Sequence, residues 1–490
     1  MKRSCGILMH ISSLPSPYGI GTFGKEAERF ADWLKSAGQK YWQVLPIGPT
    51  GYADSPYQPF SSFAGNPLLI DLDDLVESGW LAKSSVDDAD YGADPTFVDF
   101  DKVSRSKMAL LREAFAGFTD DVGYTSFVID EQDWLEDYAL FTALKSKFGS
   151  KPYTQWDEDI KMRKPEALKR WREELSEEIK FVKFVQYVFW RQWDRFHRYC
   201  NKNGIQLIGD IPIYVSPDCA DVWAQPELFE LNEKHEPKRV AGVPPDYFSK
   251  TGQLWGNPLY NWQEMHKTGY KWWLQRIGKA QESFDMLRID HFRAFDTYYA
   301  IPAGELTAER GVWEKGPGME LFNAVKNDLG DVNIIAEDLG DIFESVKKLL
   351  RDTGFPGMRV LQFGFNAEHT DNDHLPHNYP ANCCAYTGTH DNSTIMEWLR
   401  EADPRAKAMA KSYVDQRLFE RFNMACVRTV YASPAALAII PMQDILGLGK
   451  EARMNVPSTV GGNWKWRMLP GKLSAAKAEK LRALAETYFR

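Results

Sequence analysis

Three acidic residues in the second half of the chain each close an apolar run of strand length, the place from which a side chain reaches the open end of a sheet. In Met286-Leu287-Arg288-Ile289-Asp290-His291 the two-residue period of an extended chain sets Arg288 and Asp290 on one face and Leu287 and Ile289 on the other. A guanidinium beside a carboxylate favours the ionised form that a nucleophile needs. In Asn333-Ile334-Ile335-Ala336-Glu337-Asp338 the glutamate has Ala336 and Leu339 as neighbours, which solvate it poorly. Such a glutamate has a raised pKa and can carry a proton near neutral pH. The third run ends Tyr386-Thr387-Gly388-Thr389-His390-Asp391-Asn392, which brings a carboxylate and an imidazole to the same rim.

For Arg288 and Asp290, if that strand stood alone, the alternative is a structural ion pair inside a barrel. Three carboxylates at one mouth repel one another, so chemistry explains them better than stability does. The set suits glycosyl transfer with retention. Asp290 would attack the anomeric carbon, and Glu337 would protonate the leaving oxygen and later act as base. Asp391 would hydrogen-bond sugar hydroxyls and favour a distorted, positively charged ring.

Those positions need a scaffold that gathers strand ends. Eight apolar runs recur along the chain: Ser4–Ser12, Lys40–Pro46, Gly204–Ile213, Phe284–Asp290, Val332–Glu337, Gly357–Phe365, Cys383–Thr389 and Ala435–Pro441. Amphipathic helical stretches lie between several of them, at Lys25–Ala37, Tyr270–Gln281, Gly318–Asn327, Ile342–Arg351 and Tyr413–Tyr431. The alternation predicts an α/β fold, a (β/α)8 TIM barrel with helical and loop insertions on the catalytic face. Residues 1–67 and 201–490 are expected to form the barrel, and 68–200 a mostly helical inserted subdomain with charged helices near 102–117, 131–148 and 164–200. The excursion at about 216–262 is dense in Gly and Pro and is expected to be loop.

Other motifs fail on their chemistry. Gly19-Ile20-Gly21-Thr22-Phe23-Gly24-Lys25 matches GxGxxG, but Pro15 and Pro17 break the approach and Glu26 would face a phosphate, so no cofactor is expected. Glu368, His369, His374 and His377 with Cys383 and Cys384 match no zinc spacing and read as solvated or substrate-facing loop histidines; Asp87-Asp88-Ala89-Asp90 lacks the closing glutamate of a calcium loop. No metal is expected, and no GxSxG elbow is present.

Composition narrows the ligand. A net charge of −9 over 490 residues, without a long basic run, argues against nucleic acid. The 17 Trp, 21 Tyr and 28 Phe supply flat faces suited to sugar rings, although most must be core. Six scattered cysteines form no disulfide framework, and the short N-terminal apolar stretch interrupted by His10 is neither a signal peptide nor a membrane span. A cytoplasmic enzyme with no membrane association and no obligate protein partner is expected.

At these residues the sequence resembles the 4-α-glucanotransferases of the amylomaltase, or disproportionating-enzyme, type within the α-amylase clan. The likeness spans nearly the whole chain. It runs through Ser12-Ser13-Leu14-Pro15-Ser16, Asp54-Ser55-Pro56-Tyr57-Gln58, Gly209-Asp210-Ile211-Pro212, Gly242-Val243-Pro244-Pro245-Asp246-Tyr247-Phe248, Gly252-Gln253-Leu254-Trp255-Gly256-Asn257-Pro258, Arg288-Ile289-Asp290-His291-Phe292-Arg293, Ala336-Glu337-Asp338-Leu339-Gly340, Gly388-Thr389-His390-Asp391-Asn392 and Ala452-Arg453-Met454-Asn455. The resemblance implies Asp290 as nucleophile, Glu337 as acid/base and Asp391 as transition-state stabiliser. It places Arg288, His291 and His390 on the sugar at the cleavage point, with Asp210 beside them. It makes the segment from Asp246 through Gln253, Trp255, Asn257 and Pro258 a lid, and sets Tyr57 and Asn463 against the glucan. The implied partners are malto-oligosaccharides and α-1,4-glucans. An α-amylase-like hydrolase uses the same acids and is the alternative; a non-catalytic glucan-binding barrel would be expected to have lost one.

Overall fold

The computed structural model describes residues 2–490 except 246–248, 341 and 366–371. Twelve strands follow in chain order: β1 Ser4–Leu8, β2 Tyr41–Gln43, β3 Gln206–Ile211, β4 Arg239–Val243, β5 Gln253–Pro258, β6 Met286–Ile289, β7 Thr297–Pro302, β8 Val312–Lys315, β9 Ile334–Ala336, β10 Gly357–Val360, β11 Cys383–Tyr386 and β12 Leu437–Pro441. Eight of them close into a parallel barrel in the order β1-β12-β11-β10-β9-β6-β3-β2. These are the eight runs read from the sequence, and their burial on both faces explains why they are continuously apolar rather than alternating.

Strands end earlier than apolar character does. The run from Ser4 leaves the sheet after Leu8 and turns at Ile11–Ser13, and the run from Gly357 becomes a helical turn at Leu361–Gly364. The excursion expected as loop carries the short helix Ala220–Ala224 and two strands. Those strands, β4 and β5, join β7 and β8 in a separate antiparallel sheet of order β5-β4-β7-β8. Half of that sheet comes from beyond β6, so its pairing could not be read locally.

The helices Lys25–Ser36, Lys271–Ser283, Met319–Leu329 and Glu344–Thr353 lie where periodicity places them. The one expected over Tyr413–Tyr431 begins only at Phe422. Arg428 explains the break: its guanidinium takes the carbonyls of Val414 and Asp415 and the carboxylate of Glu420, which fastens the intervening segment as a turn.

Between β2 and β3 the chain is helical, from Leu72–Glu77 to the long Ser176–Lys202. Two buried glutamines on that last helix bind loop backbone from both sides. Gln186 exchanges hydrogen bonds with the Gly65 N–H and carbonyl, and Gln192 does the same with Asp71. The glycine-rich segment before Lys25 meets Asp71 as well: Thr22 Oγ1 donates to its carboxylate at 2.7 Å. An anion at that helix start would face a like charge. Among the described residues no group of metal-binding side chains is present and no helix is long and apolar enough to cross a membrane.

Candidate active site

The C-terminal ends of β3, β6, β9 and β11 gather the acids, as parallel strands closed into a barrel must. On β3 and β6, Asp210 and Arg288 are register partners, and Ile289 pairs with Ala336 across β6 and β9. Asp290 and Glu337 therefore stand one residue beyond paired positions on neighbouring strands. Neighbouring strands lie about 4.8 Å apart, close to the roughly 5–5.5 Å carboxyl separation of a retaining pair.

One buried guanidinium organises this side. Arg288 Nη1 donates to both oxygens of Asp210, at 2.8 and 2.7 Å, and Nη2 donates to Asp290 Oδ1 at 2.8 Å. Gly209 permits the approach of helix Lys271–Ser283, because a Cβ there would lie 2.4 Å from the ring of Phe284. Glu337 is buried, and its carboxylate accepts the N–H of His291 at 2.6 Å and of Leu339 at 2.9 Å. Burial, reinforced by the charge of Asp290, nevertheless raises its pKa to about 7. His291 reaches its carboxylate only by adopting a left-handed backbone, φ 51°. For a residue with a Cβ that conformation costs about 1–2 kcal/mol, strain of the sort found at functional sites. Burial, and then the charge of Arg293, lowers the His291 pKa to about 3, so the imidazole is neutral near neutral pH. The adjacent Asp338 points away and instead accepts from the Met358 N–H and from Arg359.

Loops build the other side. Tyr57 donates its hydroxyl to Asp210 Oδ2 at 2.8 Å and stacks on His390, with ring centres 5.0 Å apart and planes inclined by 16°. Trp464 leans on both rings, at 5.6 and 5.9 Å. Asp391 is half-exposed, with Oδ1 3.4 Å from His390 Nε2 and 2.7 Å from the donating Asn455 Nδ2. From the second sheet, Trp255 sets its ring edge-on to His291 at 4.8 Å, and its indole N–H donates to Gln253.

Thus Tyr57, Asp210, Trp255, Arg288, Asp290, His291, Glu337, His390 and Asp391 come together, with Gln253 beside Trp255. Asn257 and Pro258 do not join them as open surface: both are buried, and the Asn257 amide is taken by the Val215 carbonyl and by Gln58. They anchor the buried C-terminal end of β5. Asn463 closes its own turn, accepting from the Val456 N–H and donating to Thr459. Asp246 lies outside the described residues, as do Glu368 and His369. His377 is exposed, as expected of a solvated loop histidine, whereas His374 is not: it accepts the Val360 N–H, and burial lowers its pKa to about 4. Sequence reasoning missed Trp464 and Asn455 as site residues. The second stood within the quoted Arg453-Met454-Asn455 motif, which was the available signal.

The comparisons with known proteins agree over the full length. The family model described as 4-alpha-glucanotransferase matches residues 9–473. The 4-alpha-glucanotransferase of Clostridium butyricum is 47% identical, with 98% of this chain and 100% of that protein covered. That of Thermus thermophilus is 46% identical, with 99% of each covered. The amylomaltase of Streptococcus agalactiae, solved in complex with acarbose, is 43% identical and superposes with a TM-score of 0.97 over 100% of both chains. The amylomaltase of Corynebacterium glutamicum shares the fold at 20% identity and TM-score 0.78, covering 98% of this chain and 73% of that one. With the barrel, the register-matched acids and the full-length matches together, this chain belongs to the 4-alpha-glucanotransferase family.

Proposed function

We propose that the protein moves α-1,4-glucan segments between malto-oligosaccharides by double displacement through a covalent glycosyl intermediate on Asp290. The observation that carries this is the pairing of Asp290, held by Arg288, with a neighbouring Glu337 whose pKa is raised to about 7. One acid has a cationic partner and the other can hold a proton, which is the division of labour that retention requires.

In the first displacement Asp290 attacks the anomeric carbon while Glu337 gives its proton to the departing glucosidic oxygen. The shortened glucan leaves, and an acceptor hydroxyl enters as Glu337 takes its proton and Asp290 is released. Asp391 faces the sugar hydroxyls and favours the ring as positive charge develops. Neutral His291 adds a hydrogen-bonding group without opposing that charge. Tyr57, His390 and Trp464 offer a stacked aromatic wall for the glucan, with Asp210 behind it. Trp255 and Gln253, and Asp246 by family resemblance, serve as a lid that keeps water from the intermediate, so that a glucan rather than water accepts it. Asn463 lies on the turn next to this wall and completes the contact set. Asn257 and Pro258 act through the lid strand they anchor.

Barrel segments 1–67 and 201–490 carry the chemistry in this reading, and the helical insert 68–200 braces the rim. Six free, buried thiols fit a reducing compartment, the cytoplasm. Incubation with maltotriose alone tests the function: transfer gives glucose together with a ladder of longer maltodextrins. A product set of only glucose and maltose would mean that water is the acceptor and would sink the transfer reading.

A further inference from the structure

Asp391 is the least enclosed of the three acids, its side chain 45% exposed. It lies beyond the end of β11 at Tyr386, so no strand pairing fixes it. Besides the bond from its own N–H to Thr389 Oγ1 at 3.3 Å and the contact with His390, its restraint comes from one distant segment. Asn455 Nδ2 donates to Asp391 Oδ1 at 2.7 Å, and Arg453 Nη2 donates to the Asp391 main-chain carbonyl at 3.3 Å. Arg453 also fixes the residue that does the holding: its Nε donates to the Asn455 carbonyl at 2.9 Å. The guanidinium is in turn drawn toward the first turn of helix Ile395–Glu401, where Nη1 stands 3.7 Å from Glu397 Oε1, a carboxylate 2% exposed. Glu397, Arg453, Asn455 and Asp391 form a closed bracket around the turn that carries His390 and Asp391.

We propose that Asn455 is a positioning residue for the transfer reaction: its amide ties down Asp391 Oδ1 and leaves Oδ2 as the oxygen that meets the distorted sugar ring. This rests on the reading of Asp391 as the third acid. A half-exposed carboxylate without a strand partner can turn about its side-chain bonds, and a misplacement of about 1 Å costs about 100-fold in rate. The contact with Asp391 matters most as charge develops, so loosening it lowers kcat more than it raises KM. Substitution by Asp keeps the shape of Asn455 but replaces a donor with a charge that repels Asp391, which separates donation from mere filling of space.

Three variants are to be compared in steady-state transfer from maltotriose, with thermal melting measured alongside. Asn455→Ala is expected to lower kcat about 10- to 100-fold while KM stays within about threefold and the melting temperature is unchanged. Asn455→Asp is expected to fall below Asn455→Ala. A kcat for Asn455→Ala within about twofold of the parent, or an Asn455→Asp variant as active as Asn455→Ala, overturns the proposal. Asp391→Asn separates the two levels: if it is inactive while Asn455→Ala is unimpaired, only the positioning role fails, whereas an active Asp391→Asn removes the three-acid reading itself.

Discussion

Asp290 and Glu337 stand one residue past paired positions on adjacent strands, whereas His390 and Asp391 hang from a turn whose anchor lies 64 residues away in sequence. On the strand side Glu337 is buried and Asp210 and Asp290 share a single guanidinium; on the loop side Asp391 is half-exposed and tied by the Asn455 amide, beside the stacked rings of Tyr57 and His390. The contrast teaches a division of work. Register in a closed barrel places the groups that make and break the bond, with no freedom to slip, because a one-residue shift would turn every side chain to the other face. Loops of separate origin shape the space for the sugar and can be altered without moving the nucleophile.

Substitutions that attack the strand side should be the more severe. Asp290→Asn removes the nucleophile with little change in shape, and transfer from maltotriose is expected to fall at least about 10⁴-fold. Glu337→Gln is expected to cost about 10²- to 10⁴-fold, the usual worth of general acid–base catalysis. Because its raised pKa keeps Glu337 protonated below about 7, kcat/KM of the parent should decline as pH rises through that value, and the decline should be absent in Glu337→Gln. Arg288→Leu leaves Asp210 buried without its partner, and a loss of about 3–5 kcal/mol of stability is expected by urea unfolding.

Variants of the aromatic wall on the loop side should be milder and act on fit. Trp464→Ala removes a face that leans on Tyr57 and His390 and is expected to raise KM about two- to tenfold, from roughly 0.5–1.5 kcal/mol of ring contact. Tyr57→Phe deletes only the hydroxyl bonded to Asp210 and is expected to cost about 1 kcal/mol, a factor of about five in kcat/KM. A loss at Trp464 or Tyr57 as large as that of Asp290→Asn, without a fall in stability, would break the contrast.

The same contrast governed what the sequence disclosed. All eight barrel strands and the acids at their ends were legible, because parallel strands buried on both faces are apolar runs and a charge at the end of one is conspicuous. The alternation that put Arg288 and Asp290 on one face is borne out in their 2.8 Å contact. Glu337 was read as poorly solvated; its raised pKa agrees, but the two amides that it accepts from His291 and Leu339 depend on a left-handed turn that composition does not reveal. Sheet β5-β4-β7-β8 was hidden because its strands come from two separate excursions. Trp464 and Asn455 were hidden for the same reason: their meaning lies in contacts with Tyr57, His390 and Asp391, residues far from them in the chain.

The central claim is that Asp290 forms the covalent bond to the sugar while Glu337 handles the proton. It is tested most directly by giving the Glu337→Gln variant an α-maltosyl fluoride, whose leaving group needs no proton, and mapping the peptides by mass spectrometry. The account predicts a maltosyl adduct on the peptide that contains Asp290. An adduct on Asp391 or another residue, or rapid turnover of the fluoride by an Asp290→Asn variant, would contradict it.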